Sequence, residues 1–485
     1  MRIPEKGLTR AEVFERLESF RSADMPWRDG RTWAYIYDPG REAEGVIKDA
    51  FVSYLTENGL DPTVFPSALR MENEVVAMAI AHLNGDENVV GSFTSGGTES
   101  IILAVKAARE WSREHRPEIA QPEILLPETG HAAFQKAAHY LGLRPVMAPV
   151  DPETFRADVD AMRSAITPNT VLMVASAVSY AHGVVDPIRE LGQLALERDL
   201  LFHVDGCMGA FLLKYFRDLG AEVPDYDFRV PGVTSISMDL HKYAFAAKGA
   251  STLLYRDKEL RKHQMYACSN WTGYTVINPT VQSTKSAGPL AAAWAALNFI
   301  GEDGYLEIAS KVQEATRKIV AAIDDMADLR VLGRPDMNLV AFASDTVSVF
   351  HVIDEMKERG WYVQPQLAYG SSPENIHLSI NPESAHWADA MLADLRECTK
   401  VAKSMPSGEL AAKIKESFGN IDPQSLDDSV FQGMLGMAGI QGTALPGRMA
   451  EINEILNALP VPLRERILVT YLNELFRSPD PTNGS

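Results

Sequence analysis

Between about residues 70 and 300 the chain alternates helix-spaced stretches with short apolar runs, and this alternation constrains its fold more than any other feature. MENEVVAMAIAHL and TESIILAVKAAREWSREH carry apolar residues at helical spacing. EILLPE, RPVMAPV, TVLMVASA, LLFHVD, GVTSISM and STLLYR are short and apolar, several of them rich in Val, Ile or Leu. Runs of that length bounded by helices are strands buried on both faces, which build a mainly parallel sheet covered on each side. The predicted fold class is α/β.

The flanks read differently. Residues 1–60 form an N-terminal helical segment, two amphipathic helices around the loop WRDGRTWAYIYDPG, and the large domain takes 61–300. A long helix, AAAWAALNFIGEDGYLEIASKVQEATRKIVAAI, leads into a smaller α+β domain at 301–403 with the runs RVLG, LVAFAS and NIHLSI. Residues 404–485 make a C-terminal extension with a Gly-rich middle, GMLGMAGIQGTALPG, and an amphipathic end, LRERILVTYLNELF. The final SPDPTNGS has the composition of chain without fixed structure. A chain of 485 residues is too long for one core, so several domains are the expectation.

Charge narrows the partners. The formal net charge of −19 is spread along the chain, which disfavours nucleic acid and anionic membrane. Cys207, Cys268 and Cys398 lie far apart without zinc spacing, so they read as thiols in a reducing compartment, and no metal site is assigned. The start is charged and lacks a signal-peptide core, and no apolar run reaches membrane-spanning length. A cytoplasmic location is expected.

Three pieces sit at the ends of the predicted strands. In TSGGTESIILA, the small residues Ser95, Gly96, Gly97 and Thr98 run into a helix, whose free N–H groups and dipole favour an anion. Alone, this also reads as helix capping. LLFHVD ends a strand on Asp205, where α/β sheets bind ligands, though a cap or an ion pair is equally open. SISMDLHKYAFAAKG follows a strand with His241 and Lys242 and brings a second lysine, Lys248, six residues later. Together they supply an anion cradle, a carboxylate and a lysine. Pyridoxal 5′-phosphate needs those three groups, for its phosphate, its ring nitrogen and its carbonyl carbon. Lys242 is the candidate for the bond to the cofactor, with its pKa expected to fall in a low-dielectric cleft.

The motifs NGLDPTVFPSALRMENEVV, TSGGTESIILA, HAAFQKAAHYLG, YAHGVVDPI, HVDGCMGAF and HKYAFAAKG extend this reading. With them the sequence resembles the group II decarboxylase family of fold-type I pyridoxal-phosphate enzymes, and within it the sphingosine-1-phosphate lyase branch. The resemblance implies a large domain with a mainly parallel seven-stranded sheet, a smaller α+β C-terminal domain, and a homodimer with shared active sites. It implies that His131 stacks on the cofactor ring, that Asp205 holds the ring nitrogen, and that Ser95, Gly96, Gly97, Thr98, His241 and Thr284 serve the cofactor phosphate region. Lys248, Tyr180 and Tyr37 are implied near the substrate, with Tyr180 taking a hydroxyl proton and the partner subunit contributing Tyr37 and the 283–288 loop. Lys248 otherwise reads as a solvated loop lysine.

Two departures bear on substrate. Asn58-Gly59-Leu60-Asp61 stands where the family pattern has Asn-x-Leu-His, and Ser283-Thr284-Lys285-Ser286-Ala287 where it has Gly-Ser-Arg-Pro-Gly. Asn58, Asp61 and Lys285 thus fall in the implied substrate-phosphate cup, and an acidic Asp61 repels phosphate while lysine lacks the arginine fork. The implied reaction is retro-aldol cleavage of an amino alcohol, possibly a phosphorylated one, to an aldehyde and an amine, with a small-molecule amine as partner. Amino-acid decarboxylation is the alternative. A regulator on the same fold needs a DNA-binding module or a basic face, and neither is visible. His82, His115, His139 and His263 read as surface or packing residues, and Cys207 as core. The tryptophans at 27, 33 and 271 read as pocket or core.

Overall fold

The computed structural model describes residues 2–406 and 446–476, with residues 408, 412 and 416 between them. The Gly-rich run over 433–445 and the terminal SPDPTNGS lie outside the described residues.

Seven strands form the large sheet: β1 (Val90–Thr94), β2 (Glu123–Pro127), β3 (Arg144–Ala148), β4 (Thr170–Ser176), β5 (Leu201–Asp205), β6 (Ser235–Asp239) and β7 (Ser251–Tyr255). Their spatial order is β1-β7-β6-β5-β4-β2-β3, and β7 alone runs against its neighbours β1 and β6. Buried strands such as β4, with every residue inaccessible, explain the unbroken apolar runs. The period of two still shows in the centre, where β5 and β6 carry His203, Asp205, Ser235, Ser237 and Asp239 on one face and Phe202, Val204, Ile236 and Met238 on the other.

A four-stranded antiparallel sheet follows, ordered β10-β11-β13-β12, from Arg330–Val331, Leu339–Ala343, Asn375–Ser379 and Gln364–Gln366. Between the sheets, β8 (Tyr266–Cys268) and β9 (Val276–Asn278) make a hairpin with Trp271 half-exposed near its tip. Trp33 is fully buried, and Trp27 lies under the Arg28 guanidinium at 4.2 Å. The long helix Gly288–Asp324 is broken at Gly301, whose φ of 63° and ψ of 173° leave the helical region.

Four helices precede or follow β1: α1 (Arg10–Arg21), α2 (Arg41–Ser53), α3 (Pro66–His82) and α4 (Gly97–His115). The first is one of the two helices expected before residue 60, and its apolar side chains lie uncovered. None of its residues is buried, and Val13, Phe14, Leu17 and Phe20 stay exposed. His82, by contrast, is buried and stacks on Phe211 at 4.6 Å. In the C-terminal extension the helix Ala450–Ala458 docks on Val349–Glu358, where buried Asp354 accepts the N–H groups of Met449 and Ala450 at 2.9 Å each, and the helix Val461–Leu475 follows it. No helix among the described residues is long and apolar enough to cross a membrane.

Candidate active site

A cavity of about 360 Å³ opens at the C-terminal ends of β4, β5 and β6, which present Ser176, Asp205 and Asp239 to it. Ligands bind at this edge of α/β sheets. Ser95 to Thr98, His131, Tyr180, Cys207, His241 and Lys242 complete the lining, so most residues expected at the cofactor converge here. Cys207, expected in the core, is buried but lines the cavity.

Lys242 lies in the turn after β6, with Nζ 3.0 Å from Asp239 Oδ2. Burial, the largest influence, pushes its ammonium pKa down, but the Asp239 carboxylate together with Cys207 and Tyr37 turns the net shift upward. This corrects the expectation of a lowered value: the countercharge sits three residues upstream on the same strand end. Lys248 is the lysine that is depressed, to about 8, by desolvation of its head and then by the Lys242 charge. Its Nζ donates to the His241 carbonyl at 3.1 Å and stands 4.4 Å over the Tyr37 ring. Tyr37 lies beside Lys248 of the same chain. Its phenol, edge-on to Tyr243, is pushed up to about 12 by burial.

Tyr180 is gripped from the small sheet. Its hydroxyl donates to Gln364 Oε1 at 2.6 Å, its ring stacks on His377 at 4.6 Å, and its carbonyl lies 2.9 Å from His377 Nε2. Gln364 and His377 are direct cross-strand partners, so one register fixes both contacts. Burial raises the Tyr180 pKa, which keeps its proton on.

The anion cradle is built from α4. Ser95 N–H is taken by Glu99 at 2.6 Å, leaving the first-turn N–H groups of the helix, which have no intrahelical partners, to face an anion. Gly96 has φ 147°, a region that favours glycine, and a Cβ there would meet His241 Cε1 at 3.3 Å. A Cβ on Gly97 would stand 2.8 Å from the Asp239 carboxylate. His131 Nδ1 accepts the Ala133 N–H at 3.2 Å, which orients its ring. Asp205 Oδ1 accepts from Cys207 N–H at 3.1 Å and Ser237 Oγ at 3.3 Å. Glycines that leave the cradle clear, a carboxylate and a lysine in one cavity fit pyridoxal phosphate, and the volume is that of a small-ligand site.

The residues expected around a substrate phosphate lie elsewhere in the chain. A second cavity of about 780 Å³ is lined by Asp61 and Lys285 among others. Asp61 accepts from Thr63 N–H and hydroxyl at 2.8 and 2.6 Å, and Lys285 Nζ is paired with Glu72 at 2.8 Å. Asn58 Oδ1 accepts the N–H groups of Leu60 and Lys285, at 3.0 and 3.1 Å. Thr284 is exposed and lines neither cavity. Glu114, His115 and His263 come within ligand reach of one another, but Glu114 is already paired with Lys262 at 3.3 Å.

Sequence reasoning missed Asp239, Ser237, His203, Gln364 and His377. For the first three a signal existed, the polar residues at every second position of LFHVD and SISMD. The other two lie far downstream, and nothing local marks them.

Fold and cavity define a fold-type I pyridoxal-phosphate enzyme. The family profile described as "Pyridoxal-dependent decarboxylase conserved domain" matches residues 25–345. Sphingosine-1-phosphate lyase of Arabidopsis thaliana is 42% identical over 412 residues, covering 83% of this chain and 74% of the plant protein. The structure of Burkholderia pseudomallei sphingosine-1-phosphate lyase superposes with a TM-score of 0.80 at 36% identity, over 83% of this chain and 93% of that one. The chain belongs to the sphingosine-1-phosphate lyase family of pyridoxal-dependent enzymes. Lactobacillus brevis glutamate decarboxylase shares the fold, with a TM-score of 0.72 at 19% identity over 84% of this chain and 96% of that one. A second profile, for a helix–turn–helix domain proposed at the C-terminus of pyridoxal-dependent enzymes, matches residues 412–474. No such module was visible in the sequence, and the matched stretch holds five Lys/Arg against eight Asp/Glu, a poor balance for a phosphate backbone.

Proposed function

We propose that the enzyme cleaves the Cα–Cβ bond of a 2-amino alcohol to an aldehyde and an amine, with Lys242 carrying the cofactor. The observation that carries this reading is two lysines of opposite character on one short connection, Lys242 pinned to Asp239 at 3.0 Å and Lys248 set over Tyr37 at 4.4 Å. Bound pyridoxal phosphate supplies the sink for the electron pair left on Cα. Asp205 would hold the ring-nitrogen proton, His131 would stack on the ring, and Gly97, Thr98 and His241 would take the phosphate. Tyr180 spends its own proton on Gln364, so an oxygen lone pair remains to receive the substrate hydroxyl. Lys248, near 8, exchanges a proton readily at neutral pH and is the better base of the two.

The lyase relatives support carbon–carbon cleavage over decarboxylation. A cytoplasmic homodimer, with the division 1–60, 61–300, 301–403 and 404–485, completes the proposal. The acidic Asp61 and the pairing of Lys285 with Glu72 favour a smaller or less anionic amine over a long-chain phosphosphingoid base.

The test compares aldehyde formed from a phosphosphingoid base and from short 2-amino alcohols with CO₂ released from amino acids. Aldehyde without CO₂ is expected. Asp61→His with Lys285→Arg should raise kcat/KM on the phosphorylated substrate about tenfold or more, each charged hydrogen bond contributing about 1.5–3 kcal/mol. CO₂ without aldehyde refutes the lyase reading, and efficient wild-type use of the phosphosphingoid base refutes the substrate preference.

A further inference from the structure

We propose that Ser235, His203 and Ser237 form a proton-oriented relay behind the cavity, delivering a hydrogen bond to Asp205 and holding that carboxylate ionised. The proposal rests on the reading of Asp205 as the ring-nitrogen partner and adds the residues that fix its charge.

In the parallel register of β5 and β6, His203 stands opposite Ser235 and Asp205 opposite Ser237. Alternation places the four on one face, and all are buried, from 0% to 6% exposed. Without water each must find a protein partner. His203 Nδ1 lies 2.8 Å from Ser235 Oγ and its Nε2 3.2 Å from Ser237 Oγ. Ser237 Oγ is also 3.3 Å from Asp205 Oδ1 and 3.2 Å from Cys207 Sγ.

A serine hydroxyl has one proton to give and two lone pairs to receive. If Asp205 is ionised, Ser237 must donate to it and accept from both His203 Nε2–H and the Cys207 thiol. A neutral imidazole that donates at Nε2 accepts at Nδ1, so Ser235 donates there. Each group is used once, and the directions follow from one another. A protonated Asp205 reverses the chain, with His203 carrying its proton on Nδ1 instead. The Cys207 backbone N–H donates to the same Asp205 Oδ1 at 3.1 Å and cannot turn round, which favours that oxygen as the acceptor of the Ser237 hydroxyl as well. The Phe134 ring packs edge-on against the imidazole at 5.7 Å. Other titratable groups lining the cavity are Glu99, His131, Tyr180, Cys207 and His241, with Asp239 and Lys242 as an ion pair.

The tautomer of His203 thus reports whether Asp205 Oδ1 accepts from Ser237 or donates to it. Imidazole ¹⁵N spectra of the whole protein read it directly, in cofactor-free and pyridoxal-phosphate-loaded samples, with a His203→Phe spectrum for assignment. The expected result is an Nε2–H tautomer from pH 8 to pH 5.5 in both. An Nδ1–H tautomer or an imidazolium overturns the relay. As a second measurement, Ser237→Ala removes the hydroxyl donor. Its affinity for pyridoxal phosphate should fall more steeply than that of wild type between pH 8 and 5.5, because the carboxylate has lost a donor. Parallel affinity curves overturn the relay, since a packing defect weakens binding equally at every pH. Asp205→Asn separates the two layers. Unchanged affinity and visible spectrum there refute Asp205 as ring-nitrogen partner, while the ¹⁵N result decides the relay by itself.

Discussion

Asp239 decides which lysine is the nucleophile before the cofactor arrives. Its carboxylate, 2% exposed, holds Lys242 protonated, while Lys248 sits near 8. In cofactor-free protein at pH 8, brief acylation should therefore label Lys248 faster than Lys242. Asp239→Asn removes the main countercharge opposing burial of Lys242 and should reverse the order. Peptide mass spectrometry after pulses of reagent reads both rates, and an unchanged order in the variant refutes the assignment. The two lysines and Asp205 were legible in the sequence because their spacing follows strand ends. The sign of the Lys242 shift was not, since spacing does not say which carboxylate stands 3.0 Å away.

Among elements, α4 shows how tightly a helix start can be fitted. Gly97 has Asp239 oxygens and Cys207 Sγ within 2.8 to 2.9 Å of where a Cβ would lie. Gly97→Ala should cost about 1–3 kcal/mol by overpacking and release pyridoxal phosphate more readily. Gly45, inside α2 with nothing within 4 Å of a Cβ, supplies the contrast. Gly45→Ala should be stabilising by about 0.5–1 kcal/mol. Urea unfolding of both variants checks the pair, and equal effects would contradict the packing argument. Six strands of the large sheet announce themselves as apolar runs, whereas β1 does not. VGSFT is diluted by Gly91 and Ser92, and Gly91 is required because any side chain there collides with Leu254. α1 is a case of another kind. An apolar stripe at helical spacing says that a face wants cover, not that its own chain provides it.

For the whole molecule, acid is the predicted weakness. His82, His182, His203 and His377 are buried, and burial holds them near 4, 3, 4 and 4. A lowered folded pKa means unfolding takes up protons, so this stability is full above about pH 6.5 and lost as pH falls toward 4. Asp186 and Asp227, raised to about 6 by burial, act with the opposite sign and gain stability over the same acid range. Four against two leaves a net uptake of about two protons near pH 5, or about 2.7 kcal/mol lost per pH unit. Urea midpoints at pH 7, 6 and 5 should fall in that order, and a flat profile would show that the imidazoles are not held neutral. The reversed direction of β7 has a consequence for how this site tolerates change in chain length. Because β7 turns straight back along β6, with Leu240 and His241 N–H groups both bonded to the Ala250 carbonyl at 3.0 Å, the eleven residues from Leu240 to Ala250 are closed at both ends. The connection is a ruler: losing one residue between Lys242 and Lys248 moves Lys248 and its contact with Tyr37 relative to Lys242, even where both lysines are kept.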